Sequence, residues 1–379
     1  MKLLHTSDWH LGRGENERSL IGDQRHFIEE ICEIAEREAV DAVLIAGDVY
    51  DRAVAPAEAI QLYNEAMTRL CLDRKKQVIV IAGNHDHADR LAGCRELLER
   101  SGLHVLGAIE REPRKVSFDD AEIFLFPWFT EEKVKALYPE RASEVHSLTD
   151  ACRIVCDAAR DAFSEGKQHI ALCHAFVANS VTSGSDKSAE LAAVGTAMQI
   201  DADVFHDFDY VALGHIHGPQ DISSHMRYSG TPMAYSFGRE EEQEKSVTVI
   251  DTVSMEKTVI ALHPLHKRTT LEASYEELLK ADYPAEIREG YVRLRANDTY
   301  VGYERASRLQ ELYPLCMEIQ GKSFEGDAAG SRMTMEEFER LESDPVAIFK
   351  SFCLEVLKEE PDEHRLALFA KCLESEGCE

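Results

Sequence analysis

Positive charge is scarce in this 379-residue chain: 42 lysines and arginines stand against 70 aspartates and glutamates, a formal charge of −28. That balance excludes a simple cationic nucleic-acid binder, whose affinity comes from Lys and Arg neutralising phosphates. It leaves open an enzyme that brings metal ions or a basic partner to its substrate. No run of about 18 apolar residues occurs, so no membrane-spanning helix is expected. The opening MKLLHTSDWH has polar residues where a signal peptide needs an apolar core; export is not expected, and a cytoplasmic location is. The ten cysteines contain no Cys-x-x-Cys pair, which in a chain of this length argues for reduced thiols and against a disulfide frame. Cys152 and Cys156, one helical turn apart, read as two small buried side chains. With 21 Gly, 11 Pro and 44% hydrophobic residues the composition is globular, neither collagen-like nor disordered, and the length suits two or three domains.

What is present first is alternation. Lys2–His5, Ala42–Ala46 and Gln77–Ala82 are short runs of Val, Ile, Leu and Ala that predict buried strands. Between them, Ser19–Ala39 and Pro56–Leu72 carry helical periodicity, so a largely parallel core sheet with helical crossovers is expected. The pattern resumes at His169–Cys173 and Tyr210–Leu213. From Met226 onward Tyr228–Ser229, Ser246–Asp251 and Lys257–Leu262 predict strands joined by short turns, closing the core with antiparallel hairpins. Glu240–Glu244 reads as a short acidic loop. The expected organisation is α/β, with a main domain over 1–265, a small α/β domain over 266–322 and C-terminal helices over 333–379. Gly321–Arg332 reads as a linker, Thr334–Glu337 as a capping box, and Asp344-Pro345 and Pro361-Asp362 as helix starts.

Five clusters place metal-ligand types directly after predicted strands: Asp8-Trp9-His10, Gly47-Asp48, Gly83-Asn84-His85-Asp86, Cys173-His174 and Gly214-His215-Ile216-His217. Ligands of open α/β sheets gather beyond the carboxyl ends of the strands, so the five are expected to converge. The donors are Asp8, His10, Asp48, Asn84, His174, His215 and His217. Mixed imidazole and oxygen donors suit Mn, Fe or Zn better than Ca or Mg. Seven donors exceed one tetrahedral ion and suggest two metals with a bridging carboxylate, the pairing that clamps the attacking and leaving oxygens of phosphoryl transfer. His5, His26 and His87 read as structural.

These motifs resemble the calcineurin-like metallophosphoesterases. HTSDWHLGR at His5–Arg13, AGDVYD at Ala46–Asp51, AGNHD at Ala82–Asp86, ALGHIH at Ala212–His217 and YSGTPMAYSF at Tyr228–Phe237 resemble the SbcD-type nuclease subunits within them. The resemblance spans Met1 to about Asp251; beyond that it rests on domain order. It implies a β-sandwich flanked by helices, with a small capping domain and C-terminal helices. It also implies one metal on Asp8, His10, Asp48 and His217 and a second on Asp48, Asn84, His174 and His215, with Mn²⁺ the family's ion. His85 is then the acid beside the leaving group, a role imidazole suits because it titrates near working pH. Asp51 stands where related archaeal enzymes carry a second active-site histidine. The implied activity is 3′-to-5′ exonuclease and single-strand endonuclease action on DNA. The implied partners are a second copy of the chain, packed through the helices expected over Pro56–Leu72 and Asp89–Arg100 with Leu62, Ala66, Met67, Leu97 and Leu98 as apolar contacts, and a coiled-coil ATPase of the SbcC type. Two other readings share the residues: a phosphodiesterase or phosphatase acting on nucleotides or phosphoproteins, and a non-catalytic scaffold. The helical tail argues against the first and the complete ligand set against the second.

Overall fold

The computed structural model describes residues 1–16, 18–178, 180–181, 199–322, 346, 349–350, 353 and 360–376. Its first sheet holds Lys2–Thr6 (β1), Ala42–Ala46 (β2), Gln77–Ile81 (β3) and Leu103–Leu106 (β4). A second holds Lys115–Ser117 (β5), Ala121–Phe126 (β6), Gln168–His174 (β7), Tyr210–Gly214 (β8), Gln220–Ser223 (β9) and Met226–Tyr228 (β10). Ser246–Asp251 (β11) and Lys257–Ala261 (β12) return to the first, giving strand orders β12-β11-β1-β2-β3-β4 and β9-β10-β8-β7-β6-β5. Strands β1 to β4 are parallel, and so are β6, β7, β8 and β10; the antiparallel strands lie toward the margins.

The strand sequences explain the layering. All five residues of β2 are buried, because side chains alternate between two covered faces. Ala42, Leu44 and Ala46 join Leu3, Ile79, Ile123, Ile170 and Ala212 between the sheets, whereas Val43 and Ile45 lie in the layer under the helices. Burial of each such Leu or Ile contributes about 1.5–3 kcal/mol. Helix Ile21–Arg37 (α1) buries Phe27, Ile28, Ile31 and Ala35, and Ala57–Met67 (α2) buries Leu62, Ala66 and Met67, in that outer core. Helix Leu148–Arg160 (α3), capped by Ser147 Oγ accepting from Asp150 N at 3.2 Å, covers the second sheet with Cys152 and Cys156 buried.

Several expectations change. The largely parallel core expected from the strand rhythm is divided into two mixed sheets, in keeping with the β-sandwich that the family resemblance implies. The strand at Met226–Tyr228 pairs antiparallel with β9 and also parallel with β8. Asp89–Arg100 is not one helix: Ala88–Leu91 and Arg95–Leu98 are separated at Cys94, whose φ is 60°. His5 is structural as expected, 3.1 Å from both the Tyr210 hydroxyl and the Leu213 carbonyl oxygen, and His26 lies 3.0 Å from the His263 carbonyl oxygen.

Beyond the sandwich, Arg268–Ala273, Tyr291–Ala296 and Cys316–Gln320 form a three-stranded sheet in that order. The chain divides into one compact unit of Met1–Leu271, Ala281–Leu294 and Gln310–Glu318 and another of Glu272–Lys280, Arg295–Leu309 and Ile319–Glu379. In the latter, Asp298 accepts from Tyr275 N at 2.8 Å and the Phe349 and Phe369 rings stack at 4.2 Å. The helix expected after Pro361 spans Glu363–Glu376; Thr334–Glu337, Asp344-Pro345 and most of the linker lie outside the described residues. Among those described, no helix is long and apolar enough to cross a membrane.

Candidate metal centre

The carboxyl ends of β1, β2 and β3 in one sheet and of β7 and β8 in the other deliver the five predicted clusters to one rim. The loops after β1 and β2 run side by side: Asp8 N donates to Gly47 O at 3.0 Å, His10 N to Asp48 O at 2.9 Å and Leu11 N to Val49 O at 2.9 Å. This pairing holds Asp8, His10 and Asp48 at φ of 53°, 45° and 48°, a left-handed conformation that costs about 1–3 kcal/mol per non-glycine residue. Gly47 shares it at 84°, and a Cβ there would lie 2.3 Å from His174 Nδ1. At Gly83 a Cβ would lie 2.1 Å from Asp48 Oδ1, so both turns need glycine to let the loops close on the carboxylate.

Asp48 is the hub. Its Oδ2 is 3.5 Å from His174 Nε2, 3.8 Å from His10 Nε2 and 4.0 Å from His85 Nε2, and its Oδ1 accepts from His85 N at 2.9 Å. On one side His10 Nε2 and His217 Nε2 face each other at 3.1 Å, and Asp8 completes a group of mutually close donor atoms. On the other, Asn84 Oδ1 is 3.0 Å from His174 Nε2 and 3.1 Å from His215 Nδ1. Asp8 accepts from His215 N at 3.0 Å. All seven predicted donors and His85 therefore converge. Asp51 joins His10 and His85 in a further close group, its carboxylate 3.8 Å from both His10 Nδ1 and Arg13 Nη1.

The electrostatics ready three imidazoles for cations and leave protons on Asp8 and His174 that a cation has to displace. Burial holds the His10 and His217 imidazoles well below the usual histidine range and brings His215 to about 3, so all three are neutral lone-pair donors. Burial pushes Asp8 up to about 8, with the neighbouring Asp48 adding to the shift. Burial also acts to raise Asp48 and to lower His174, but their mutual attraction wins: Asp48 stays well below the carboxylate range and His174 rises to about 9. His174 Nδ1 is 2.8 Å from the Ala46 carbonyl oxygen, which turns Nε2 toward Asp48 and Asn84. Buried imidazole lone pairs, two carboxylates and an amide oxygen around one small space fit divalent metal ions. Among the described residues His10 Nδ1, which is buried, has no hydrogen-bond partner.

Supporting residues were less visible in the sequence. Gln24 on α1 donates from Nε2 to His10 O at 2.8 Å and accepts from Gly12 N at 2.9 Å, pinning the β1 loop. Asp86, the last residue of the Gly-Asn-His-Asp cluster, accepts from Gly83, Val49 and Tyr50 N at 2.9, 3.1 and 2.9 Å. Trp128 stacks on His215 with ring centroids 5.4 Å apart; its only sequence signal was an aromatic just past the Ile123–Phe126 run.

The acidic stretch Glu240–Glu244 is more than a solvated loop. Glu240 is buried and accepts from Lys245 Nζ at 3.0 Å, and the same ammonium donates to His217 O at 3.0 Å and Thr231 Oγ1 at 2.8 Å. Removing one partner of a buried ion pair leaves the other charge uncompensated, at about 3–5 kcal/mol. Lys245→Ala is therefore expected to lower unfolding stability by that amount in urea titration, and pairing it with Glu240→Gln should recover part of the loss. An unchanged midpoint would show that the pair contributes nothing.

Three proteins described as the SbcD component of nuclease SbcCD are similar to this chain. Those of Staphylococcus saprophyticus and Staphylococcus epidermidis are 28% and 27% identical over 328 and 329 residues, covering 86% of this chain and 86% of their own length. That of Bacillus subtilis is 36% identical over 269 residues, 66% of each chain. A family model described as calcineurin-like phosphoesterase matches residues 1–219, more than half the chain and the span that carries every donor above; the chain belongs to the calcineurin-like phosphoesterase family.

Proposed function

We propose that this chain is a two-metal DNA nuclease with 3′-to-5′ exonuclease and single-strand endonuclease activity. The observation that carries the reading is the convergence of Asp8, His10, Asp48, Asn84, His174, His215 and His217 around Asp48 in a chain whose relatives are nuclease subunits. Asp8, His10, Asp48 and His217 would hold one divalent ion and Asp48, Asn84, His174 and His215 the other, with Mn²⁺ favoured and Fe or Zn compatible with the same donors. Ions so held supply Lewis acidity, making water nucleophilic near neutral pH and offsetting the charge of the phosphodiester.

The protein groups do the rest. Asp48 fixes the spacing of the two halves. His85 Nδ1 lies 2.7 Å from the Asp51 carbonyl oxygen; donation there turns Nε2 toward the centre, where a proton on it can pass to the departing 3′ oxygen. With a formal charge of −28 the chain leaves the grip on long DNA to a partner, for which a coiled-coil ATPase of the SbcC type fits the relatives' place in an SbcCD nuclease. A homodimer through the α2 region and the segment after β3 is part of the same reading. Leu62, Ala66 and Met67 belong to the chain's own core, so exposed Val54, Ile60 and Leu97 are the apolar groups that would meet a second copy.

The purified chain, stripped with EDTA and supplied with Mn²⁺, is expected to shorten 5′-labelled linear DNA from its 3′ end and to cut circular single strands. Without metal it should do neither. Hydrolysis of nucleotides or phosphopeptides with DNA left intact under Mn²⁺ would replace this reading with the phosphatase one.

A further inference from the structure

The chain has two tryptophans, and they are placed in opposite ways. Trp9 is fully buried and donates its indole N–H to Thr6 Oγ1 at 3.0 Å, an ordinary core position. Trp128 follows the carboxyl end of β6, at the rim where the donors gather, and is only partly buried. Its backbone N donates to Ala82 O at 2.9 Å, tying it to the turn that carries Asn84 and His85. The indole stacks on His215 at 5.4 Å with 26° between planes and meets His174 edge-on at 6.1 Å. Phe176, two residues past His174 and also partly buried, tilts against the same His215 ring at 6.2 Å.

Packing alone does not account for an aromatic left partly open here. The rings of β6 that serve the core, Phe124 and Phe126, are 0% and 1% exposed. An indole at the edge of a metal-ligand cluster offers a flat apolar surface within reach of whatever is bound to the ions. Every nucleobase has a π-face, and stacking of a base on an aromatic side chain is sequence-tolerant. We infer that Trp128, flanked by Phe176, is a subsite for the nucleobase next to the scissile phosphate. A base seated there has left the helical stack, so the subsite favours single strands and frayed ends over intact duplex. The inference rests on the nuclease reading for its substrate class.

The test separates the two. Wild type, Trp128→Ala and Trp128→Phe are compared on a short single strand and on the same strand with a tetrahydrofuran abasic residue at the cleaved position. On the natural strand Trp128→Ala should raise KM about tenfold with kcat changed much less, and Trp128→Phe should restore most of the loss. On the abasic strand all three should have the same, raised KM. Binding is read independently of cleavage: with Mn²⁺ present, pdApdA should quench the emission of Trp128 in a Trp9→Phe background, and abasic deoxyribose 5-phosphate should not. Equal losses on both strands would make Trp128 a support for His215 and overturn the subsite, as would unchanged kinetics or the absence of quenching by pdApdA. Quenching by pdApdA without cleavage of either strand would sink the nuclease reading while leaving the nucleobase subsite standing.

Discussion

Replacing His85 by alanine is expected to slow Mn²⁺-dependent DNA cleavage about 10²–10⁴-fold, the range for loss of a positioned general acid or base, while both metals stay bound. His85 is not among the seven donors proposed to hold the ions. Its Nδ1 lies 2.7 Å from the Asp51 carbonyl oxygen, and its Nε2 stands 4.0 Å from Asp48 Oδ2, close enough to serve a leaving group at the centre. Its backbone N–H, which donates to Asp48 Oδ1, survives the substitution and keeps the turn intact. Mn²⁺ titration by calorimetry with single-turnover cleavage measures both halves. A variant that cuts at the wild-type rate would remove the proton-transfer role, and one that lost metal would make His85 a ligand.

Asp48→Asn should lose metal as well as activity. The carboxylate lies within 4.0 Å of a ring nitrogen of His10, of His85 and of His174, and both proposed ions depend on it. The metal-free protein should report the same change through pH. His174 rises to about 9 because the attraction of Asp48 outweighs burial, so the pair stabilises the metal-free fold fully below the unfolded-state value near 6.5 and loses that contribution as pH climbs through about 9. Metal must displace that proton, and the one on Asp8 held to about 8, so Mn²⁺ affinity should rise between pH 7 and 9. In Asp48→Asn the His174 imidazole should titrate lower by NMR. Retention of two ions by this variant would exclude a bridging role.

The sequence showed the donors because each follows a strand buried on both faces, and such strands read as unbroken apolar runs ending in Gly, Asp or His. It did not show which strands share a sheet. Strands β7 and β8 continue the same strand-and-helix rhythm as β1 to β3, and nothing local assigns them to a second layer. Strand β6 escaped because its apolar run, Ile123–Phe126, is only four residues long and a carboxylate, Glu122, stands just before it; buried, that carboxylate accepts from Ser164 N and Oγ at 3.1 and 2.8 Å and pairs with Lys115. Glu240 was hidden the same way, its burial depending on Lys245 across a turn. The expected helix over Asp89–Arg100 failed at Cys94, where a left-handed backbone breaks a sequence that otherwise propagates helix. Local patterns report burial and period; pairing between distant polar side chains is decided by the fold.

Whether two ions share the Asp48 carboxylate is decided by crystals of the full chain soaked in Mn²⁺ and measured for anomalous scattering at the Mn edge. Two peaks are expected, one beside Asp8, His10 and His217 and one beside Asn84, His174 and His215, with Asp48 touching both. A single tetrahedral ion at full Mn²⁺ occupancy, or two ions that do not share Asp48, would contradict the bridged two-ion centre.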